Sequence, residues 1–141
     1  MILPIDLANN NNLNELTAQV VAKYDRIDLL MNNGGISQRG EAAATGLDLD
    51  RKIMEINYFG NIALTKAVLP IFHKQKSGSI VVISSLSGKF GFFLRSAYAA
   101  SKFALVGFYE SLRLEAEKNN IQVILVFQGF IKPNIYKHVI K

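Results

Sequence analysis

Tyr98 and Lys102 stand four residues apart in the run R-S-A-Y-A-A-S-K-F-A-L-V-G-F, Arg95 to Phe108. On a helix that spacing puts both on one face, a single turn apart. A free phenol titrates near ~10 and is a weak acid or base at neutral pH. A neighbouring ammonium, helped by the positive end of a helix, stabilises the phenolate. The pair therefore suits proton transfer to or from an alcohol or carbonyl oxygen. Spacing alone also describes an ordinary solvated helix edge, because Tyr109 has Arg113 four residues on.

Two further groups add to the pair. Ser84 and Ser85 close the apolar run Ser79 to Ile83, and in an open α/β sheet ligands bind beyond the carboxyl ends of strands. A serine there donates a hydrogen bond to a substrate oxygen, or serves as a turn or cap residue. M-N-N-G-G, Met31 to Gly35, follows the preceding apolar run in the same way. Its glycines let backbone approach a ligand closely, while Asn-Gly is also a common turn signal.

The elements that must position these groups alternate in type. Ile27 to Met31, Ser79 to Ser84 and Ile121 to Phe127 read as strands, nearly continuous in apolar residues, as strands covered on both faces are. Between them lie longer helical patterns, the signature of an α/β chain with a parallel sheet. One helix is predicted from Asn12 to about Tyr24, with Asn12 and Glu15 resembling a capping box. A second runs from about Asp48 to Lys76, kinked at Pro70, which removes the bond to the Lys66 carbonyl, and stopped by Gly78. The third, about Ser96 to Lys118, is apolar almost all round, so it must be covered by the sheet and by another helix or subunit.

The 141 residues suit one domain; half are hydrophobic and 19% charged, as in globular chains. No apolar run approaches the ~20 residues of a membrane span. No Lys or Arg precedes Lys23 and no long apolar core follows the start, so no secretory signal is predicted. The lack of cysteine excludes a disulfide framework and a thiolate metal site, and a cytoplasmic location is the expectation. The net charge is +5, but the sixteen Lys and Arg are spread from Lys23 to Lys141 among acids. Nucleic acid is therefore not the expected partner.

N-N-G-G at Asn32 to Gly35, V-V-I-S-S-L-S-G at Val81 to Gly88 and Y-A-A-S-K at Tyr98 to Lys102 resemble the successive motifs of the short-chain dehydrogenase/reductase family. Their order matches, and Ser85 precedes Tyr98 by thirteen residues, the family spacing. N-N-G-G-I-S-Q-R-G further resembles the dehydrogenase/reductase "member 7" group, and the resemblance covers practically the whole chain.

The resemblance implies an NAD(P)-dependent oxidoreductase acting on a small alcohol or carbonyl compound, with a tetrad of Asn57, Ser85, Tyr98 and Lys102. Tyr98 is then the general acid or base and Ser85 holds the substrate oxygen. Lys102 lowers the Tyr98 pKa and binds the nicotinamide ribose, and Asn57 organises a water linking Lys102 to solvent. Asp6 and Leu7 match the pair near the adenine, and Asn32, Asn33, Gly34 and Gly35 the adenosine wall. Gly129 and Ile131 match the segment touching the nicotinamide amide. NAD and NADP stay equally open, and a homo-oligomer through the long helix and the Tyr98 helix is implied.

The sequence also departs from the family pattern. No T-G-x-x-x-G-x-G segment occurs, and the opening M-I-L-P-I-D-L looks like the tail of the family's third strand. The expected fold is a partial, Rossmann-like doubly wound parallel sheet, a single incomplete domain over residues 1–141. It keeps the family's strands 4, 5 and 6, lacks the first βαβα units, and leaves strand 4 with an open apolar edge. Gln128 and Pro133 stand where the family has Pro and Thr, and Phe90, Phe92 and Phe93 line a substrate pocket or belong to the core. The competing reading is a catalytically inactive fragment that acts only as a helix-mediated dimerisation module.

Overall fold

In the computed structural model, which describes residues 1–129, the three apolar runs become strands β1 (Leu29–Asn32), β2 (Gly78–Ser85) and β3 (Ile121–Gln128). They form one parallel sheet in the order β1-β2-β3, with Leu29 opposite Ser79 and Gly78 opposite Ile121. Parallel pairing gives the strands a common direction, so Asn32, Ser85 and Gln128 finish at the same end of the sheet. Among the described residues β1 pairs only with β2, and no strand among them pairs with its other edge.

The helical patterns become α1 (Leu13–Tyr24), α2 (Leu47–Met54), α3 (Asn61–Gln75) and α4 (Ser96–Ala116). α3 and α4 pack on one face of the sheet. Ile62, Val68 and Phe72 of α3 meet Leu105, Tyr109, Leu112 and Ala116 of α4 over Ile80, Val82, Ile121 and Val123. Alternate strand residues point the other way, and there Leu29, Met31, Ile124 and Val126 are 40 to 56% exposed. The expectation of two covered faces is thus half met among the described residues. Continuous apolar strands signal two-sided burial without specifying the segment that supplies the second cover.

Four local expectations are corrected. Asn12 makes no side-chain cap bond; α1 opens when the Leu16 amide donates to the Asn12 carbonyl, while Asn9 Oδ1 takes the Asn11 amide. The long helical stretch breaks at a π-helical turn, Glu55–Gly60, and α3 continues through Pro70. Pro70 and Lys66 are exposed, so water can take the carbonyl that proline leaves without a partner. Lys76, with φ of 52°, occupies the left-handed stop position predicted for Gly78. Gly78 opens β2 instead, where a Cβ would lie 2.4 Å from the Phe72 ring. Met1 to Leu7 forms no strand, because none of the three strands pairs with it.

Candidate active site

The site grows from the carboxyl end of β2 and the first turns of α4. Ser85, the last residue of β2, accepts a hydrogen bond from the Ser87 amide at 3.1 Å and so caps the short turn Leu86–Gly88. Tyr98 lies half-buried in the first turn of α4. One turn later Lys102 is buried, 7% exposed, and its Nζ donates to the Ile83 carbonyl at 3.1 Å. That ammonium sits 5.7 Å from the centre of the Tyr98 ring. Its side chain therefore ties the tyrosine's helix to the strand that carries Ser85.

Burial pushes the Lys102 ammonium down from 10.5 to about 8, because a low-dielectric surrounding disfavours the charged form. An ammonium has three donors, and among the described residues the Ile83 carbonyl takes one. No other described residue takes a hydrogen bond from the ammonium.

Asn57 lies in the π-helical turn, fully buried, and such turns accompany functional sites because they aim backbone and side chain out of helical register. Its Nδ2 donates to the Ile36 carbonyl at 2.9 Å and to Ser101 Oγ at 3.0 Å, and its Oδ1 accepts the Ile36 amide at 2.8 Å. Ser101 Oγ in turn donates to the Tyr98 carbonyl at 2.7 Å. Asn57 thus couples the segment after β1 to the Tyr98 turn. Both amide protons are committed, so any water it organises must donate to Oδ1 or to its main-chain carbonyl, which Asn61 Nδ2 already reaches at 2.9 Å.

The residues matched to the adenosine side divide. Asp6 and Leu7 lie against the turn after β1: a Cβ on Gly34 would be 2.6 Å from the Leu7 side chain, and one on Gly60 would be 2.2 Å from the Leu7 carbonyl oxygen. Asp6 is exposed and its Oδ1 accepts the Ala8 amide; Asn33 and Gly34 are exposed as well. Gly35 backs onto Asn57 Oδ1, 3.0 Å from where its Cβ would be.

Asn32 turns its side chain the other way. Its Nδ2 donates to Thr65 Oγ1 and to the Tyr109 hydroxyl, each at 2.8 Å, inside the core. Thr65 and Tyr109 are 2.6 Å apart, and the Tyr109 hydroxyl also reaches the Asn61 carbonyl at 3.3 Å. Burial raises Tyr109 to about 12, against the opposing bonds from Thr65 and Asn32.

Gly129 is exposed just beyond β3, while Ile131 and Pro133 lie outside the described residues. Phe90 and Phe93, 64% and 87% exposed, are not core.

Sequence reasoning missed Thr65, Asn61, Ser37 and Ser101. Only Ser101 carried a signal, as the serine inside Y-A-A-S-K; the others act across 27 to 58 residues of chain.

The family model described as short chain dehydrogenase matches residues 1–141. The chain belongs to the short-chain dehydrogenase family. It is 48% identical over 134 residues to a dehydrogenase/reductase SDR family protein 7-like from Drosophila melanogaster, covering 95% of this chain and 41% of that protein. With dehydrogenase/reductase SDR family member 7B of Mus musculus the identity is 45% over 134 residues, covering 95% and 42%. The chain therefore spans less than half the length of these relatives. A short-chain dehydrogenase from Streptomyces avermitilis superimposes with a TM-score of 0.88 at 36% identity, over 94% of this chain and 48% of that one. ElxO with NADP bound gives 0.92 at 29%, over 97% and 56%, and NAD+-bound xylitol dehydrogenase 0.87 at 27%, over 91% and 50%. No helix among the described residues is long and apolar enough to cross a membrane.

Proposed function

We propose that this chain carries the acid–base half of an NAD(P)-dependent oxidoreductase that interconverts an alcohol and a ketone or aldehyde. The observation that carries this reading is the buried Lys102 ammonium, held between the Tyr98 ring and the strand end that presents Ser85. In reduction Tyr98 gives its proton to the carbonyl oxygen and in oxidation it takes the proton back. Ser85 Oγ donates a hydrogen bond to the same oxygen, and the Lys102 charge favours the phenolate in between. Asn57, through Ser101, fixes the backbone of the Tyr98 turn.

The residues present fit the nicotinamide half of the cofactor. The spare donors of Lys102 and the Tyr98 hydroxyl suit a ribose, and Gly129 stands at the neighbouring strand end. Asp6, Leu7, Asn33 and Gly34 gather at the end of β1, where the adenosine side would lie. A glycine-rich phosphate turn does not occur in this sequence. The cofactor, when bound, supplies or accepts the hydride. One structural neighbour holds NADP and another NAD+, so both are named.

Hydride transfer assayed with NADPH and NADH over a panel of ketones tests the reading. Tyr98→Phe should lose about 10²- to 10⁴-fold in rate. Equal rates in wild type and Tyr98→Phe would sink the mechanism.

A second reading, association of two copies through the long helical stretch and α4, draws on different residues. Phe59, Phe103 and Leu114 are 46%, 47% and 75% exposed on those elements, an apolar face that a partner helix would cover. Light scattering separates the two readings: a monomer that binds cofactor saturably supports the enzyme alone, and a dimer without cofactor binding supports the module alone.

A further inference from the structure

Arg95 takes no part in the motifs that the family resemblance supplied, yet three observations converge on it. Its guanidinium carbon lies 5.6 Å from the centre of the Tyr98 ring, so the ring has a cation from Arg95 as well as from Lys102. Its Nη1 donates to Ser37 Oγ, and Ser37 is 97% buried in the segment after β1, at 3% exposure. The residue before it, Leu94, adopts φ of 61°, a left-handed backbone that a branched side chain rarely takes unless its surroundings enforce it. What holds Leu94 there is the same segment: the Gly40 amide donates to the Leu94 carbonyl at 3.1 Å.

The segment is itself braced. Gln38 Nε2 donates to Thr45 Oγ1 at 2.9 Å, and Thr45 Oγ1 donates to the Glu41 carbonyl at 2.8 Å. Arg95 also begins α4, since its carbonyl accepts the Ala99 amide at 2.8 Å. One residue thus joins the braced loop, the start of the helix and the ring of the tyrosine. A planar guanidinium suits this because it can stack on an aromatic face while its edge donates to a hydroxyl.

We propose that Arg95 is a positioning residue for Tyr98: it couples the seating of the Ser37–Thr45 loop to the orientation of the phenol ring. The inference rests on Tyr98 as the acid–base group for its functional meaning, while the coupling itself is physical and needs no turnover to be seen. A loop drawn away from the site releases the guanidinium, and a loop drawn in presses it back onto the ring. The seating of whatever the loop contacts is thereby transmitted to the proton donor.

The test uses the 141-residue chain with ring-labelled tyrosine, resonances being assigned by Tyr→Phe replacement, together with amide exchange at Gly40. Arg95→Met, which keeps most of the apolar stem, should move the Tyr98 resonance by more than its linewidth. It should also speed Gly40 exchange about tenfold, leaving the buried Tyr109 resonance in place. Ser37→Ala, which cuts only the loop contact, should move both readouts in the same direction by less. Movement at Gly40 alone, with Tyr98 unchanged, would show that Arg95 merely pins the loop and would overturn the proposal, as would movement at neither. Loss of the Tyr109 signal in Arg95→Met would report misfolding, and Ser37→Ala then decides by the same two readouts. If instead Tyr98→Phe retains full activity while both readouts couple as described, the acid–base reading fails and the clamp stands.

Discussion

Replacing Lys102 by Met should stabilise the protein at neutral pH while abolishing hydride transfer. The lysine ammonium is 7% exposed, and burial lowers it from 10.5 to about 8. The folded chain therefore gives up this proton near pH 8, while the unfolded chain keeps it to 10.5. Between those values the unfolded state binds more protons, so stability rises with pH, and the penalty is present in full below about pH 8. At about 1.36 kcal/mol per pKa unit the fall corresponds to on the order of 3 kcal/mol at pH 7. By pH 9.5 on the order of 2 kcal/mol of that should have been recovered.

Methionine matches the length of most of the lysine stem and carries no proton to lose. Urea denaturation of both proteins at pH 7 and pH 9.5 reads the effect. The wild-type stability, less that of the variant, should climb by about 2 kcal/mol over this interval, and subtraction removes the contributions of all other titrating groups. A flat difference would refute the desolvated ammonium. A lower stability of the variant at pH 7 would show that the bond to the Ile83 carbonyl outweighs desolvation.

Tyr109→Phe should cost about 1–3 kcal/mol at pH 7 by leaving the Thr65, Asn32 and Asn61 groups short of a partner. It should also remove a decline: Tyr109 holds its proton to about 12 when folded and to about 10 when unfolded, so wild-type stability falls between those values. Gly60→Ala drives a Cβ onto the Leu7 carbonyl oxygen and should detach the Asp6–Leu7 segment, read as faster amide exchange at Ala8 and weaker nucleotide binding. Asn57→Ala strands the Ile36 amide and carbonyl, which should lower stability by about 1–3 kcal/mol for each group left buried. Thermal melts check its size. Ile124→Glu with Val126→Glu should leave the thermal midpoint nearly unchanged, because both residues lie on the open face of the sheet, and should reduce binding of a hydrophobic dye.

Much of the fold was legible because it follows from local periodicity. Each strand run was continuous enough to be seen, and each is recovered with its ends moved by at most two residues. Pairing in the order β1-β2-β3 agrees with the tendency of sequential strands to lie side by side. What local patterns misplaced were the stops and breaks. Lys76 took the left-handed position through its place after the Phe72 turn, whose carbonyl receives the Lys76 and Ser77 amides' bonds in that region. The break in the long helix fell at Asn57 because a side chain there must reach across to Ile36, which no propensity scale contains.

Tyr98, Lys102 and Ser85 could be picked out from the sequence because their spacing is short and tied to a helix turn and a strand end. By itself the sequence determined which residue types at which spacing suit proton transfer, the class of sheet that bears them, and the family. Tertiary structure decided which polar side chains are spent inside the core. Asn32 and Tyr109 carry the same functional groups as residues of the site, yet they close a hydrogen-bond network within the core. Arg95 and Ser37, 58 positions apart, meet beside the Tyr98 ring only because β1 and α4 deliver their loops to the same end of the sheet. Spacing along a chain fixes neighbours on one element, whereas contacts between elements depend on packing that no short motif encodes.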